Sequence, residues 1–500
     1  MASIRAMGDF LGGRFVVPSA PTGVIEKTSP ADLDDRVGAF PVQRDHVAQA
    51  VDAARRAFAG WRATPLQERV AVLKTFGQKL LDREATLVEA LGREVGKPSW
   101  EAKTEVRALA AKIEITVSEG LELVKGFSLD GGKLACRFEP HGVLAVLGPF
   151  NFPLHLPNGH LVPALATGNT VVFKPSEVAP WCAQLYAEAA RDAGFPPGVV
   201  NVVQGGGPEG ELLAGHDGVD GVLFTGSYAV GVQILRANAH RPGRMLALEL
   251  GGKNTAVVLA DAPLEKTLYD VLFSAIVTAG QRCTAVSRVV VERPILDRVV
   301  DGLVQRAGDF AVGPPASPGA FYGPLSTAAG YEKFHAAQAE ASRGGAEVLL
   351  PSRPVEGLPK GYYVRPSIHR VLRPDAASRY QNEEIFGPDL AVYAAEDLEE
   401  ACQIANGTRY GLAAGVFTAD RAKLEACASR LKTGCLTWNA PTVGSSSRLP
   451  FGGVKNSGNH RPAALFSTRY CTYPVALMQG DSALDPSELP PGVRWTPGRV

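Results

Sequence analysis

The sequence predicts an α/β fold with two α/β lobes and a pair of extended arms. From residue 142 onward, short β-rich runs alternate with stretches long enough for helices, and this alternation is typical of βαβ units around a mostly parallel sheet. A second series of apolar runs begins near Gly251, and residues 133–138 and 469–476 are expected to be extended. A chain of 500 residues also favours roughly three domains or lobes over one core.

The first third of the chain is predicted to be mainly helical. Pro98 follows Gly96 and marks a helix stop, and residues 102–124 predict a further helix. Apolar residues recur at spacings of three and four in two stretches, which are Val70, Leu73, Phe76 and Leu80, and then Leu87, Leu91 and Val95.

The middle of the chain predicts strands separated by helices in both lobes. Open parallel sheets of this kind bind dinucleotides at the carboxyl ends of their strands, so the first lobe is expected to be a Rossmann-like dinucleotide-binding domain. In the second lobe, a helix at 264–278 leads into Cys283. The β-rich runs are residues 142–147, 170–173, 199–203, 221–224, 255–259 and 289–291, and the helices of the first lobe include 181–193 and 228–239.

Composition excludes several classes of protein. Lys+Arg and Asp+Glu each number 51, and a formal net charge of zero argues against a general nucleic-acid or anionic-membrane surface. The N-terminus lacks the apolar core of a signal peptide, and prolines and polar residues interrupt the long apolar stretch 143–173, so no membrane span is expected. We expect a soluble, cytoplasmic protein with no nucleic-acid or membrane partner.

Seven cysteines are scattered along the chain, with no Cys-x-x-Cys pair. An odd, dispersed set fits a reducing compartment and offers neither a disulfide framework nor a zinc site. We therefore expect no metal, and we expect most of these cysteines to be buried as small hydrophobic residues.

Two residues with complementary chemistry stand in glycine-containing runs. Cys283 lies in Thr278-Ala-Gly-Gln-Arg-Cys-Thr284, and Glu249 opens Glu249-Leu-Gly-Gly-Lys253. A thiol forms covalent intermediates, a carboxylate activates water, and glycine lets the backbone approach a ligand closely. Arg282 is expected to lower the pKa of the Cys283 thiol, whereas burial is expected to raise the pKa of Glu249. For each residue considered alone there is an alternative: Cys283 could be an inert structural cysteine, and Glu249 could form a salt bridge at the end of a strand.

Asn151, in the run Gly148-Pro-Phe-Asn-Phe-Pro153, offers a third component of a catalytic site. Its side-chain N–H is a donor of the kind that stabilises an oxyanion. A nucleophilic thiol, a carboxylate and an oxyanion donor together indicate oxidation of an aldehyde through a thioester.

Two strand ends predict contacts with a nucleotide. The run 224–231 brings Gly226, Ser227 and Gly231 to a strand–helix junction, where backbone amides hold a pyrophosphate. Its spacing differs from the usual G-x-G-x-x-G, so a plain strand–turn–helix is the alternative.

The second strand end is the run Phe173-Lys-Pro-Ser-Glu177. Lys174 and Glu177 have the chemistry to bind ribose hydroxyls, and a carboxylate near the 2′ position repels a 2′-phosphate. This arrangement favours NAD over NADP. A solvated turn before a helix is the alternative.

In this order, the motifs resemble those of the NAD(P)-dependent aldehyde dehydrogenase superfamily, over residues 10–478. The resemblance implies that Cys283 is the nucleophile and Glu249 the base that activates the hydrolytic water. It also implies that Asn151 and the Cys283 N–H form the oxyanion hole. The matching runs are 148–153, 174–177, 224–231, 249–253, 280–284, 383–388 and 450–455, and the implied cofactor contacts are Lys174, Glu177, Ser227, Glu384 and Phe386.

The architecture implied by this resemblance has three parts and a tail. Residues 1–121 and 141–250 are assigned to the NAD-binding domain and 251–448 to the catalytic domain. Residues 122–140 and 465–480 are assigned to a bridging β-arm that makes homodimers or dimers of dimers, because uncovered extended arms invite pairing with another chain. Residues 481–500, rich in proline and acidic groups, are expected to be a solvated tail.

Within the superfamily, three segments resemble the N-succinylglutamate 5-semialdehyde dehydrogenase family of arginine catabolism; they are residues 154–163, 457–462 and 470–475. Such a substrate carries two carboxylates, so cationic and polar groups are expected near it. The residues predicted to contact it are His155, Asn158, His160, Arg448, His460 and Arg461.

This chain departs from that family at Ala440, at residues 285–288 and at Arg448. A dehydrogenase for another acidic semialdehyde, such as succinate or glutamate semialdehyde, is therefore the alternative substrate assignment. A non-catalytic protein on the same scaffold is the alternative of a different class. For the two histidines His155 and His160, a structural hydrogen-bonded role is the competing interpretation.

Overall fold

The computed structural model describes residues 3–480 and 484–495, in which two seven-stranded sheets are flanked by helices. The strands, in chain order, are β1 (Asp9–Leu11), β2 (Arg14–Val16), β3 (Gly23–Ser29), β4 (Asp32–Val42), β5 (Phe127–Leu129), β6 (Leu134–Pro140), β7 (Val143–Leu147), β8 (Thr170–Lys174), β9 (Val200–Val202), β10 (Gly221–Thr225), β11 (Met245–Glu249), β12 (Asn254–Val258), β13 (Val286–Glu292), β14 (Glu347–Leu350), β15 (Ser367–Val371), β16 (Asp389–Ala395), β17 (Tyr410–Gly411), β18 (Ala413–Phe417), β19 (Cys435–Trp438), β20 (Pro450–Phe451), β21 (Val454–Lys455), β22 (Ala463–Ala464) and β23 (Thr472–Met478).

The α-helices, in the same order, are α1 (His46–Ala63), α2 (Leu66–Leu81), α3 (Glu84–Val95), α4 (Ser99–Ile115), α5 (His155–Ala166), α6 (Pro180–Asp192), α7 (Gly207–Gly215), α8 (Tyr228–Asn238), α9 (Leu264–Ile276), α10 (Leu296–Arg306), α11 (Ala328–Arg343), α12 (Arg379–Asn382), α13 (Leu398–Asn406), α14 (Arg421–Arg430) and α15 (Ser467–Tyr470).

The first sheet has the strand order β11-β10-β7-β8-β9-β1-β2. Strands β7 to β11 pair in parallel, and β1 and β2 are added antiparallel at one edge. β7, β8 and β10 are buried along their whole length and rich in Val, Leu and Phe, as expected for strands covered by helices on both faces. The prediction of an α/β fold with a parallel first sheet is confirmed.

The second sheet has the order β14-β15-β16-β13-β12-β18-β19 and is parallel except for its edge strand β14. It packs with α9, α10, α11 and α13 around a separate apolar core. The predicted second α/β lobe is therefore present. The domain boundaries themselves stay a prediction.

The register of the first sheet brings the predicted site residues to one edge. Leu147 pairs with Lys174 and with Phe224, and Thr225 pairs with Glu249. Because these strands are parallel, their carboxyl ends meet at the same edge of the sheet, which is where open α/β sheets bind ligands. Lys174 and Glu249 are each the last residue of their strand.

The two predicted arms pair with each other. β23 runs antiparallel to β6, from Thr472 opposite Pro140 to Met478 opposite Leu134, and β5 adds a third strand. The prediction of an extended chain from residue 469 is wrong at its start, because α15 ends at Tyr470 and the strand begins only at Thr472.

The prediction that the first third is mainly helical holds for residues 46–124 and is wrong for residues 9–42. β3 and β4 form an antiparallel hairpin there, in which part of β4 alternates buried and less buried residues. The predicted helix at 102–124 is also divided, since α4 ends at Ile115 and a π-helical turn at Thr116–Gly120 follows it. The predicted helices around Leu73 and Leu91 match α2 and α3.

Two further predictions concern features outside the sheets. None of the helices in the described part of the chain is both long and apolar enough to cross a membrane. The predicted tail, residues 481–500, lies partly outside the described residues, at 481–483 and 496–500. Its described part forms one short 3-10 turn, Pro486–Glu488.

The junction of α3 and α4 sets the direction of the helix that carries several site residues. Gly96 ends α3 in a left-handed conformation with φ of 81°, and its N–H donates to Gly92 O at 3.1 Å. A Cβ at Gly96 would lie 2.8 Å from Pro324 Cγ, so both the conformation and the space require glycine. α4 starts three residues later at Ser99.

Gly96→Ala is expected to destabilise the protein more than Gly194→Ala. Both glycines have φ near 80°, but a Cβ at Gly194 meets nothing within 4 Å. The conformational strain of about 1–2 kcal/mol is therefore common to both variants, and the contact with Pro324 adds a further 1–3 kcal/mol or so at Gly96. Urea unfolding of the two variants measures the difference, and equal losses would show that the Pro324 contact does not matter.

Candidate active site

One cavity brings predicted catalytic residues together. It has a volume of about 180 Å³ and is lined by α5, the end of β11, the loop before β13 and residues 444–447. We call it the Cys283 cavity, because Cys283 and Glu249 both line it. A thiol and a carboxyl group that are 34 positions apart in the sequence thus line the same cavity.

The loop that carries Cys283 has an unusual backbone. Thr278, Ala279 and Gly280 have φ of 57°, 52° and 71°, so three successive residues are left-handed. A Cβ at Gly280 would lie 2.4 Å from the carbonyl carbon of Gly387, which excludes any larger residue there. Strain of this kind persists only where surrounding contacts hold it, and it clusters at functional sites.

Glu101, buried in the first turn of α4, holds this loop. Thr278 Oγ1 donates a hydrogen bond to the Glu101 carboxylate, and Arg282 Nη2 donates to Glu101 Oε1 at 2.9 Å. Arg282 Nε also donates to Thr278 Oγ1 at 2.7 Å. We call these three side chains the Glu101 clamp. After the clamp, Asn254 Nδ2 donates to Cys283 O at 2.7 Å.

The Cys283 thiol has a raised pKa. It is about 12: burial is the largest cause, the carboxyl groups of Glu384 and Glu249 also raise it, and Arg282 lowers it. Arg282 does lower the pKa of this thiol, as the sequence predicts, but the expected net lowering is wrong, because burial outweighs the Arg282 charge. At neutral pH the thiol is protonated and needs a base before it can act as a nucleophile.

Glu249 has the environment of a proton acceptor. It is buried, and its Oε2 is without a hydrogen-bond partner among the described residues. Burial raises its pKa well above the ordinary value, as the sequence predicts. Its backbone O accepts from Gly226 N at 3.0 Å, which ties it to the strand–helix junction after β10.

Asn151 follows β7 and is buried beside the same loop. Its Nδ2 donates to Gln281 O at 2.8 Å, two residues before Cys283. Asn151 is not among the residues that line the cavity, and its amide instead contacts the backbone that carries the thiol.

The first predicted cofactor pair lies at the carboxyl end of β8. Lys174 is buried, and its Nζ donates to Gly205 O at 2.8 Å and to Gly206 O at 3.2 Å. The Glu177 carboxylate lies 3.7 Å from Lys174 Nζ and is half exposed. A cation and an accessible carboxylate at this edge have the chemistry for ribose hydroxyls.

The second predicted group lies at the start of α8. Ser227 is its N-cap, with Oγ accepting from Val230 N at 3.4 Å. A Cβ at Gly231 would lie 2.6 Å from Leu250 Cδ2, so this glycine lets α8 pack closely on the chain after β11. Gly226 stands just before the N-terminus of the helix, and such an N-terminus favours a phosphate.

The third group lies beside the loop that carries Cys283, where Gly280 packs against Gly387. Glu384 Oε1 accepts from Gly252 N at 2.9 Å, and burial raises the pKa of Glu384 to about 7. Phe386 is left-handed with φ of 62°, and its ring contacts Phe150 edge-on at 5.8 Å. These residues lie next to the Cys283 loop, whereas Lys174 and Ser227 lie at the strand ends of the first sheet.

The predicted substrate residues divide into two sets. His155 and His160 line the Cys283 cavity. Asn158 does not, since its Nδ2 donates to Leu109 O at 3.1 Å and its Oδ1 accepts from Tyr186 OH at 3.0 Å. The remaining three, which are Arg448, His460 and Arg461, are exposed and do not line the cavity.

Two cations line the cavity that no motif predicts, Lys112 and Arg282. Lys112 is buried on α4 between the apolar Leu109 and Ile113. A charged residue on the buried face of a helix is the one sequence signal that points to it. Arg282 is visible in the sequence only as a neighbour of Cys283.

No group of three or more His, Cys, Asp or Glu side chains within residues 3–480 and 484–495 is arranged to hold a metal ion. The seven cysteines are free thiols. The side chains that line the cavity include a thiol, a carboxyl group, two cations and two imidazoles.

The motifs of this site belong to a known family. A family model described as the aldehyde dehydrogenase family matches residues 16–474. The chain belongs to the aldehyde dehydrogenase family. N-succinylglutamate 5-semialdehyde dehydrogenase of Chromobacterium violaceum is 39% identical to this aldehyde dehydrogenase over 492 residues, covering 97% of this chain and 99% of the relative.

Solved structures of aldehyde dehydrogenases share the fold. A Sinorhizobium meliloti NAD-dependent aldehyde dehydrogenase matches with a TM-score of 0.91 and 29% identity, over 97% of both chains. A variant of aldehyde dehydrogenase C of Pseudomonas syringae, solved with NAD⁺ and octanal, matches with a TM-score of 0.89 and 32% identity, over 95% of this chain and 96% of that one.

Removing the carboxylate of the Glu101 clamp is expected to destabilise the folded protein. Glu101→Ala leaves Arg282 without its carboxylate, and loss of one partner of a buried pair costs about 3–5 kcal/mol of unfolding free energy. Glu114→Ala on the same helix, where an exposed carboxylate lies 3.3 Å from Lys74, is expected to cost less than about 1 kcal/mol. Arg282→Ala is then expected to cost less in the Glu101→Ala background than in the wild type. Chemical unfolding of the wild type, the two single variants and the double variant gives the coupling free energy between Glu101 and Arg282. If Arg282→Ala lowers the unfolding free energy equally in both backgrounds, the two side chains do not act together.

Proposed function

We propose that this aldehyde dehydrogenase oxidises N-succinyl-L-glutamate 5-semialdehyde to the carboxylic acid, with NAD as the hydride acceptor. The observation that carries the proposal is the cavity shared by Cys283, Glu249 and two cations, Lys112 and Arg282. Relatives that carry this substrate in their name are 39–41% identical over most of their length, which supports it.

We propose that Cys283 is the nucleophile. Its thiol loses its proton to solvent water, and the thiolate attacks the aldehyde carbon and forms the oxyanion of a thiohemiacetal. The oxyanion that develops takes hydrogen bonds from the Asn151 side chain and the Cys283 N–H, donors that the loop contacts of Asn151 and Asn254 keep in place. Loss of hydride from the same carbon gives a thioester on Cys283.

We propose that Glu249 completes the reaction. Its raised pKa suits a group that takes a proton from water near neutrality, and its unpartnered Oε2 is available for that water. The activated water attacks the thioester, the acid leaves, and the thiol is regenerated. Superfamily members that pass the acyl group to coenzyme A or phosphate typically lack this glutamate, so its presence favours hydrolysis.

The cofactor residues fit a dinucleotide, whose chemistry when bound is the acceptance of a hydride. Lys174 and Glu177 suit the adenosine ribose, and the N-terminus of α8 with Gly226, Ser227 and Gly231 suits the pyrophosphate. Glu384 and Phe386, next to the Cys283 loop, suit the end that takes the hydride. The accessible Glu177 carboxylate favours NAD over NADP.

We also propose that the protein forms homodimers or dimers of dimers through the arm of β5, β6 and β23. Phe127 and Met478 on this sheet are 58% and 78% exposed, and β5 leaves an edge unpaired within the described chain. Exposed apolar side chains beside a free edge are a liability unless another subunit covers them.

Another acidic semialdehyde is the second candidate substrate. The observation that favours it is that Arg448 and Arg461 lie outside the cavity lining, so the carboxylates of a long substrate would have fewer cations to bind than the sequence predicts. Succinate or glutamate semialdehyde carries a single carboxylate and needs only one such group.

NADH formation with three aldehydes tests the substrate. We expect kcat/KM for N-succinylglutamate 5-semialdehyde to exceed that for succinate semialdehyde and for a neutral unbranched aldehyde by about 10²-fold, or roughly 2.7 kcal/mol of transition-state binding. Cys283→Ala, the control, is expected to form no NADH with any of them. A higher kcat/KM for succinate semialdehyde would replace the proposed substrate with the second candidate, and activity in Cys283→Ala would refute the mechanism.

A further inference from the structure

Lys112 is a buried cation that lines the Cys283 cavity without a carboxylate to balance it. It is 2% exposed, and its Nζ donates one hydrogen bond, to Ala464 O at 2.6 Å. Among the described residues, no carboxylate oxygen lies within 4 Å of this Nζ. An ammonium group has three donors, so two are left for a ligand.

The other cations beside this cavity are paired. Arg282 binds the Glu101 carboxylate at 2.9 Å. Lys97, whose Nζ lies 3.4 Å from the Phe152 ring centroid, contacts the Glu105 carboxylate. Their charges are therefore balanced inside the protein, and Lys112 differs from both.

The neighbouring groups His155, His160 and Cys471 do not supply a negative charge, and the Glu249 carboxyl group, which lines the same cavity, lies more than 4 Å from Lys112 Nζ. Burial lowers the pKa of His155 to about 4 and of His160 to about 3, so both imidazoles are neutral in the physiological range. Burial also raises the pKa of the nearby Cys471 thiol, which keeps it protonated. Burial lowers the pKa of Lys112 itself to about 8, and a carboxylate brought by a ligand would stabilise its charged form.

His155 offers a second polar atom at the same place. It lines the cavity beside Lys112, and its Nδ1 is buried without a hydrogen-bond partner among the described residues. An unsatisfied buried ring nitrogen carries a penalty that a hydrogen bond from or to a ligand removes. Lys112 therefore lacks a charged partner, and His155 Nδ1 lacks a hydrogen-bond partner, in the same cavity.

We propose that Lys112 binds a carboxylate of the aldehyde substrate, that His155 Nδ1 completes this subsite, and that Lys112 determines the preference for acidic over neutral aldehydes. This inference rests on the proposed function and deepens it. Because Lys112 is buried, a charge-assisted bond between its ammonium group and a carboxylate is stronger than the same bond in water. A neutral aldehyde leaves Lys112 unbalanced and is disfavoured for that reason.

The carboxylate in question is either the one on the α-carbon or the one on the succinyl group, and two analogues separate them. N-acetylglutamate 5-semialdehyde keeps only the α-carboxylate, and N-succinyl-4-aminobutanal keeps only the succinyl carboxylate. A neutral unbranched aldehyde has neither. The analogue whose KM depends on Lys112 identifies the group that it binds.

The test is steady-state kinetics of Lys112→Met with this series. We expect KM to rise by about 10- to 100-fold for aldehydes that carry the recognised carboxylate, with kcat changed by less than about threefold, and no rise for the neutral aldehyde. Lys103→Met, an exposed lysine on the same helix, is the matched control and is expected to match the wild type. Lys112→Arg is expected to recover part of the lost affinity.

Inhibition by the product acid gives a readout that does not need turnover. We expect the inhibition constant of N-succinylglutamate to rise by a similar factor in Lys112→Met and in a second, polar variant, Lys112→Gln, which guards against a folding defect. Equal losses for acidic and neutral aldehydes, or unchanged KM and inhibition constants, would overturn the proposal.

Failure of the proposed function has a different signature. If the wild type prefers another carboxylated aldehyde, the named substrate is wrong. The Lys112 subsite is then judged by the same acidic-to-neutral ratio, which we expect to fall toward one in Lys112→Met. A ratio that is unchanged by the substitution would overturn the subsite whichever aldehyde the wild type prefers.

Discussion

The carboxylate of Glu101 is the contact on which the candidate active site depends. It accepts hydrogen bonds from Thr278 and Arg282 and thereby holds a loop in which three successive residues are left-handed. Cys283 stands directly after that loop. Because α4 carries both Glu101 and Lys112, one helix fixes the thiol and contributes the unbalanced cation of the same cavity. The left-handed turn at Gly96, packed on Pro324, sets where this helix starts.

Burial gives this site its chemistry. Removal from water raises the pKa of both Cys283 and Glu249, and the Cys283 thiol is protonated at neutral pH and inactive until a proton is removed. The same low-dielectric surroundings make an unpaired ammonium costly and a matched carboxylate favourable. A negatively charged substrate thus balances the positive charge of Lys112, which has no carboxylate partner among the described residues. Reactivity and substrate preference have a common physical origin in this arrangement.

The sequence predicts most of what lies on the parallel sheets. Strand–helix alternation gives both α/β lobes, and strand ends at Lys174 and Glu249 give two site residues, because parallel strands end at one edge. It does not predict the hairpin of β3 and β4, whose partly polar residues do not form a clear apolar strand pattern. Arg448 illustrates another limit, since charge alone suggested a substrate contact, yet its side chain is 67% exposed and pairs with Glu119 at 2.8 Å. No sequence motif predicts Lys112 or Glu101, because both act through contacts between segments that are far apart in the chain.

In the proposed mechanism, Cys283 carries the acyl group and Glu249 activates the water that releases it. The most direct measurement is a single-turnover reaction of Glu249→Gln with NAD and N-succinylglutamate 5-semialdehyde, followed by mass spectrometry of the quenched protein. We expect a burst of about one NADH per subunit, little further turnover, and an adduct on the peptide that contains Cys283, lighter than the added aldehyde by two hydrogen atoms. Steady turnover at the wild-type rate, or an adduct on another cysteine, would contradict the account.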